Sequence, residues 1–230
     1  MTGSSMKYFH FMILLVTPIS LTFGQEMKVV SDLRFNTEIG IEKELFRNWK
    51  LGAETQLKME KDVSRIDEID LDLNLEYSPF GFLSFGAGYR MAFNQKRDST
   101  FETKHRFCAD VGFRKELYRF KMDYRVRYQN VDDDFFQYDR QQPSRNILRN
   151  RIQIGYNIPN FPLDPFAYAE LYGLLDRYEE FATKIKCAAG ARYNLDKFGK
   201  IQAYYRIDRE LNSLYPFTYY TIGIGYVFEF

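Results

Sequence analysis

The sequence predicts an all-β protein: a closed antiparallel β-barrel that crosses a membrane. Apolar and polar residues alternate along most of the chain, in segments of about ten residues, and that length suits a tilted strand crossing a bilayer. Short and longer connections also alternate between these segments, as they do at the two ends of an outer-membrane barrel. Helical spacing fits almost none of the chain.

The bulk composition is compatible with this fold class. The 230 residues suffice for one barrel domain, and a formal net charge of +1 gives no electrostatic case for a nucleic-acid partner. Aromatic residues make up an unusually high 18 % of the chain. The mean hydropathy of −0.43 does not exclude a membrane protein, because the strands of a barrel show lipid only every second residue.

The first 24 residues have the pattern of a signal peptide. Lys7 precedes the apolar run Phe11–Val16, and a small-residue site at Thr22–Gly24 predicts cleavage before Gln25. A membrane anchor is the alternative, although the apolar run is short for a span of about 20 residues. We therefore expect an exported barrel domain over residues 25–230.

Eleven segments alternate in phase and are predicted as strands. In order, they cover residues 33–43, 49–60, 69–77, 83–94, 104–114, 120–129, 148–156, 166–175, 184–193, 201–208 and 219–230. The segment 166–175 is apolar on both sides, so its facing is ambiguous. Bacterial single-chain barrels have even numbers of strands, and the order of loop lengths suggests a strand missed within Met27–Asp32. The prediction is therefore twelve strands, with ten as the alternative.

The chain resembles a family of bacterial barrels, the domain of unknown function family 2490. The resemblance is carried by TEIGIEKELFRNWKLGAETQLKME, FLSFGAGYRMAFN, HRFCADVGF, YRVRYQN, LRNRIQIGYNI and YTIGIGYVFEF. It spans essentially the whole chain after residue 24. It implies an outer-membrane location in Gram-negative bacteria of the Bacteroidetes type, and it brings no known activity, so no catalytic residue, metal or cofactor is predicted.

The charges predicted to face the lumen fall into two arcs. The first three strands send mainly acids inward, and the later strands send mainly bases. The candidate acids are Glu38, Glu54, Asp70, Asp72 and Glu76. The candidate bases are Arg106, Arg114, Arg125, Arg127, Arg149, Arg151, Arg192 and Arg206.

These arcs leave two interpretations of the interior. The arcs can meet as a salt-bridged filling, which suits a structural or interaction protein, because unpaired charges are costly in a dry interior. Alternatively, water separates them, and their field orders small polar or charged solutes in a channel.

A lipid-modifying enzyme is the third hypothesis. His105 shares the lipid-facing side of its strand, and a serine nucleophile would have to lie within hydrogen-bond reach. Ser84 faces the lumen by parity, which leaves only Ser99 in a loop. An interfacial histidine at the level of the lipid headgroups explains His105 better.

Two further features have structural explanations. Cys108 is predicted inward and Cys187 outward, so two free thiols are expected. The acidic run Asn130–Asp134 offers carboxylates for calcium but lacks the spacing of a calcium loop, and it is interpreted as a solvated surface.

The final strand is predicted to close the barrel by pairing with the first strand, which removes the sheet edge. Tyr226, Phe228 and Phe230 lie on its lipid-facing side. A terminal aromatic of this kind resembles the signal read by the barrel-insertion machinery. The expected partners are thus this machinery and outer-membrane lipid, with no nucleic acid.

Overall fold

The computed structural model describes residues 30–96, 98–132, 144–176, 181–213 and 215–230. Within these ranges, eleven β-strands close into one barrel. They are β1 (Val30–Glu44), β2 (Trp49–Glu60), β3 (Arg65–Phe80), β4 (Leu83–Gln95), β5 (Phe101–Leu117), β6 (Phe120–Asp132), β7 (Arg145–Tyr156), β8 (Leu163–Leu174), β9 (Ala182–Asn194), β10 (Lys200–Glu210) and β11 (Phe217–Glu229). Among the described residues, no helix is long and apolar enough to span a membrane.

The ring closes through a parallel seam. Each strand pairs antiparallel with its neighbours in the chain, but β1 pairs in parallel with β11, from Val30 opposite Phe217 to Glu42 opposite Glu229. When strands alternate in direction, the first and last of an odd number point the same way. The prediction of a wholly antiparallel barrel is therefore wrong at this one pair.

The number of strands also differs from the prediction. The described chain forms eleven strands, where twelve, or alternatively ten, were predicted. Val30 to Asp32, in which part of a missed strand was sought, are the first residues of β1. Residues 27–29 lie outside the described ranges, as does the predicted signal peptide. Because β1 and β11 pair directly, the described ring leaves no opening for another strand.

The connections define two ends of the barrel. The short-turn end holds the connections 45–48, 81–82, 118–119, 157–162 and 195–199. The opposite end, called the loop end, holds 61–64, 96–100, 133–144, 175–181 and 211–216. The predicted difference in length between the connections at the two ends is only partial, because 61–64 at the loop end is no longer than 45–48 at the short-turn end.

The distribution of polar and apolar side chains is inverted relative to a water-soluble domain. Large apolar side chains point outward and are exposed, including Ile39 at 60 % and Leu73 at 56 %. The largest fully buried side chains are polar, namely Asn36, Asp70 and Thr221. Alternation along each strand causes this inversion, because successive residues point to opposite faces of a sheet.

Aromatic pairs surround the short-turn end of the barrel. Trp49 stacks on Tyr77 across β2 and β3, with ring centroids 4.7 Å apart, and Phe120 meets Tyr156 at 5.1 Å. Facing aromatic side chains on adjacent strands contribute to sheet stability.

Candidate functional site

A polar cavity of about 780 Å³ lies inside the barrel. Residues from all eleven strands line it, and most of the lining side chains are charged or polar. Along β1 the lining runs from Arg34 to Glu42, and the eight steps between these residues span roughly 27 Å of extended strand. The cavity therefore follows much of the length of the barrel.

Most of the charges predicted to face the lumen lie on this wall. The cavity is lined by Glu38, Glu54, Asp72, Glu76, Arg106, Arg125, Arg127, Arg149, Arg151, Arg192 and Arg206. Asp70 is fully buried within the wall. Arg114 does not line the cavity: 62 % of its side chain is exposed, and its Nε lies 2.7 Å from Asp123 Oδ1. Alternation along the strand predicted the side of the sheet that Arg114 faces. However, Arg114 lies near the short-turn end of β5, beyond the cavity.

The acids of β3 are neutralised by bases on nearby strands. Asp70 accepts hydrogen bonds from Lys58 on β2, at 2.5 Å, and from Arg90 on β4, at 3.0 Å. Glu68 accepts one from Arg106 Nη2 on β5 at 2.7 Å. The acidic arc therefore forms a network with bases along its own side of the wall.

The basic arc contains three acids that were absent from the predicted site. Glu170 on β8 accepts two hydrogen bonds from Arg149 Nη2, both at 3.0 Å, and its side chain is only 3 % exposed. Asp110 on β5 accepts two from Arg127, at 2.5 and 2.6 Å. Asp208 on β10 accepts one from Arg206 at 2.7 Å.

These ion pairs run along the wall and do not cross the cavity. Each joins side chains on one strand or on strands at most two places apart around the ring. The paired charges therefore satisfy one another locally, and the centre of the barrel stays open between them. This arrangement can hold water and small polar solutes.

Tyr204 on β10 is a large polar side chain close to the seam. Its hydroxyl donates a hydrogen bond to Glu38 Oε1 at 2.7 Å, so it links β10 to β1 past β11. Its ring lies directly over Gly223, where a Cβ would come 2.1 Å from Tyr204 Cζ. The glycine on β11 is needed for this close approach.

The family described as Protein of unknown function (DUF2490) matches residues 34–213. The chain belongs to the DUF2490 family. No curated protein matches this chain. Among solved structures, the NanC porin in a rhombohedral crystal form is similar to this DUF2490 barrel at 12 % identity, covering 78 % of this chain and 87 % of that chain with a TM-score of 0.47.

The outward face of this DUF2490 barrel carries His105 on β5. The ring stacks near Tyr89 of β4, and its Nδ1 lies 2.7 Å from the Tyr89 hydroxyl. Ser84 lines the cavity on the opposite side of the sheet, and Ser99 lies in the connection after β4. Although His105 lies on the outward side of its strand, it is bound to Tyr89 and only 6 % exposed.

The remaining predicted features are placed as follows. Cys108 is half-buried and Cys187 is exposed, and both are free. Asn130 to Asp132 complete β6, whereas Asp133 and Asp134 lie outside the described residues.

At the seam, Phe230 N donates a hydrogen bond to Glu42 O at 3.1 Å. The Tyr226 hydroxyl donates one to Phe198 O at 2.5 Å, and the Phe228 ring stacks on Phe230.

Sequence reasoning missed Glu170 because the facing of β8 was ambiguous. Phe166, Tyr168 and Tyr172 line the cavity from this strand, while Ala167, Ala169 and Leu171 occupy the positions between. The large aromatic residues occupy alternate positions of β8, and Glu170 lies at a position of the same set. This alternation is the signal that could have assigned the inward face.

Proposed function

We propose that this protein is an outer-membrane barrel that forms a narrow, charge-lined passage for small polar solutes. In this proposal a signal peptide over residues 1–24 directs export. The barrel-insertion machinery reads the aromatic end of β11, with Tyr226, Phe228 and Phe230, and places the barrel in outer-membrane lipid. No catalytic role and no cofactor are assigned.

The inverted surface supports the membrane location. Outward side chains such as Ile39, Leu73 and Ile152 are more than half exposed, although they are large and apolar. Soluble proteins rarely expose apolar surface over a continuous area, whereas a band of this kind contacts lipid in membrane barrels. The closed ring also leaves no unpaired sheet edge, which a hydrocarbon environment requires.

The passage rests on one observation: the interior charges pair along the wall and leave a cavity of about 780 Å³ between them. A salt-bridged filling would need pairs that cross the centre. The charged groups that face the cavity avoid the large cost of burial if they keep contact with water, and this supports a water-filled interior.

Conductance across a planar lipid bilayer tests the passage. The refolded protein should give discrete current steps, with heat-dependent gel mobility as the control for folding. Gly52 lines the cavity, and a Cβ there would make only ordinary contacts, at 3.7 Å from Glu42 Cγ and 3.8 Å from Ile41 O. Replacing it with tryptophan should reduce the step size by at least half.

Leu51→Trp is the matched control, because Leu51 lies next to Gly52 but points outward and is 43 % exposed. Its current steps should equal those of the unmodified protein. Folded protein without current steps would contradict the passage and favour a barrel with a structural or interaction role.

A further inference from the structure

Four arginines form a two-by-two block on the inner wall. Arg125 on β6 lies directly opposite Arg151 on β7, and Arg127 lies directly opposite Arg149. All four line the cavity. Like charges in directly opposed positions destabilise a sheet, so folding gains nothing from this arrangement. We call these four residues the arginine block.

Two members of the block are neutralised by carboxylates. Arg127 binds both oxygens of Asp110, and Arg149 binds both oxygens of Glu170. The fork of a guanidinium matches a carboxylate in this bidentate geometry. These two pairs hold one half of the block in place.

The other two members keep unused hydrogen-bond donors. Arg125 reaches Glu170, already bound to Arg149, through a single contact of 3.3 Å, and its buried Nε has no hydrogen-bond partner among the described residues. Arg151 forms no ion pair within the described part of the chain. It donates to Gln153 Oε1 at 2.5 Å, and its guanidinium lies 3.8 Å from the centre of the Tyr168 ring.

The surrounding wall adds positive charge. Lys184, Lys186, Arg192 and Arg206 line the cavity from β9 and β10, while Glu170 and Asp208 are the acids that line it from β6 to β10. In the ring, β6 and β7 each lie five places from β1, and β7 also lies five places from β2. These opposite strands line the cavity with both acids and bases, namely Glu38, Glu42, Glu54, Arg34, Lys50 and Lys58. The positive charge is therefore concentrated on the side of the wall that carries the block.

We propose that the arginine block binds the anionic group of the solute, a carboxylate or a phosphate. This inference rests on the proposed passage and names its substrate class: small polar molecules that carry an anionic group. Arg125 and Arg151 supply hydrogen-bond donors from the cavity wall, and the Tyr168 ring packs against the Arg151 guanidinium.

Isothermal titration of the folded, detergent-solubilised barrel tests the site without requiring conduction. Glucuronate and glucose form a matched pair of probes that differ in one carboxylate, and inorganic phosphate tests the other anionic group. Glucuronate, phosphate or both should bind at least tenfold more tightly than glucose. Binding of one and not the other identifies the preferred anion.

The variant Arg125→Gln/Arg151→Gln should lose at least tenfold in affinity for the preferred anion. Arg125→Lys/Arg151→Lys keeps the positive charges but lacks the guanidinium fork. Its affinity should therefore lie between that of the unmodified protein and that of the double glutamine variant. Arg114→Gln, outside the cavity, is the control and should bind like the unmodified protein. The double glutamine variant also removes two like charges that lie opposite each other. Its resistance to unfolding should therefore be unchanged or higher, whereas a purely structural role of Arg125 and Arg151 predicts a lower resistance.

The outcomes separate this inference from the passage. If the barrel conducts but neither anion binds more tightly than glucose, or the double glutamine variant binds the preferred anion with full affinity, the anion site is wrong and the passage stands. If an anion binds but the folded barrel does not conduct, the passage is wrong and the site stands. Arg151→Gln alone gives the same comparison if the double variant does not fold.

Discussion

Tyr204 and Gly223 form a matched pair of large and small residues on β10 and β11. The tyrosine ring occupies the space above the glycine, and its hydroxyl reaches Glu38 on β1. A side chain at position 223 would displace this ring and break the hydrogen bond to Glu38. Overpacking of this kind typically costs about 1–3 kcal/mol.

A double-mutant cycle tests this pairing. Gly223→Ala should lower the free energy of unfolding by about 2 kcal/mol in the unmodified protein, and by less than about 0.5 kcal/mol when Tyr204 is already alanine. Unfolding by urea in lipid vesicles gives the four values needed. Gly190→Ala is the contrasting variant, because its Cβ would lie 2.4 Å from the backbone oxygen of Ala203 and 2.7 Å from Tyr204 Cβ, two atoms that an alanine at position 204 retains. The stability cost of Gly190→Ala should be the same with tyrosine or alanine at position 204. If Gly223→Ala also costs the same in both of these proteins, the Tyr204 ring is not the obstacle.

At the scale of single residues, alternation predicted the sides of the sheet but not the partners. It assigned Arg125 and Arg151 to the same face, because side chains on a strand alternate with a period of two. It could not predict that they lie directly opposite, because β6 and β7 are joined by the long connection 133–144, and only a tight turn fixes register. The arginine block was therefore invisible in the sequence.

At the scale of elements, the pairing of β1 with β11 was predicted from the sequence, but its parallel direction was not. The sequence showed eleven alternating segments, and the general even number of strands in bacterial barrels led to the prediction of twelve. An even count places both chain ends on one side of the barrel. Here Val30 begins β1 at the loop end and Glu229 ends β11 at the short-turn end, so a parallel pair closes the ring.

Disulfide cross-linking tests the parallel register. Thr37 lies opposite Ile224 across the seam, and both point outward. In a background with Cys108 and Cys187 replaced by alanine, Thr37→Cys/Ile224→Cys should cross-link under mild oxidation, because paired residues on adjacent strands lie within the range of a disulfide. The product is detected by its altered gel mobility.

The control pair for the seam is Thr37→Cys/Phe228→Cys, in which the second cysteine lies four residues further along β11. This pair should not cross-link. Efficient linkage of the control, or none in the matched pair, would contradict the parallel register and reopen the possibility of a further strand in the seam.

At the scale of the whole molecule, the barrel has a polar interior and an apolar exterior. The sequence predicted this inversion well, because it depends only on alternation over the full length of each strand. The size of the cavity and the local pairing of its charges depend on how the strands come together around the ring, which alternation does not specify.

A charge on the apolar exterior tests the membrane environment. Leu73 lies near the middle of β3 and is 56 % exposed. In lipid vesicles, Leu73→Arg should lower the free energy of unfolding by about 2–4 kcal/mol, the cost of arginine on the lipid face at the bilayer midplane. Phe46→Arg is the control, because Phe46 lies in the connection between β1 and β2, and a charge near the interface costs only about 0–1 kcal/mol.

Equilibrium unfolding by guanidinium measures both variants. A surface that faced water would tolerate both arginines, since exposed substitutions in soluble proteins usually change stability by less than about 0.5 kcal/mol. Equal and small effects would therefore contradict the membrane location.

The seam also has a consequence for the order of assembly. Its hydrogen bonds join residues from the two ends of the described chain, such as Val30 and Phe217. Contacts this distant in sequence carry the largest cost in chain entropy, so they form late. Until β11 arrives, the free edge of β1 can pair with other chains. We therefore expect a chain lacking β11 to aggregate, and the cell to need a protected route from synthesis to closure.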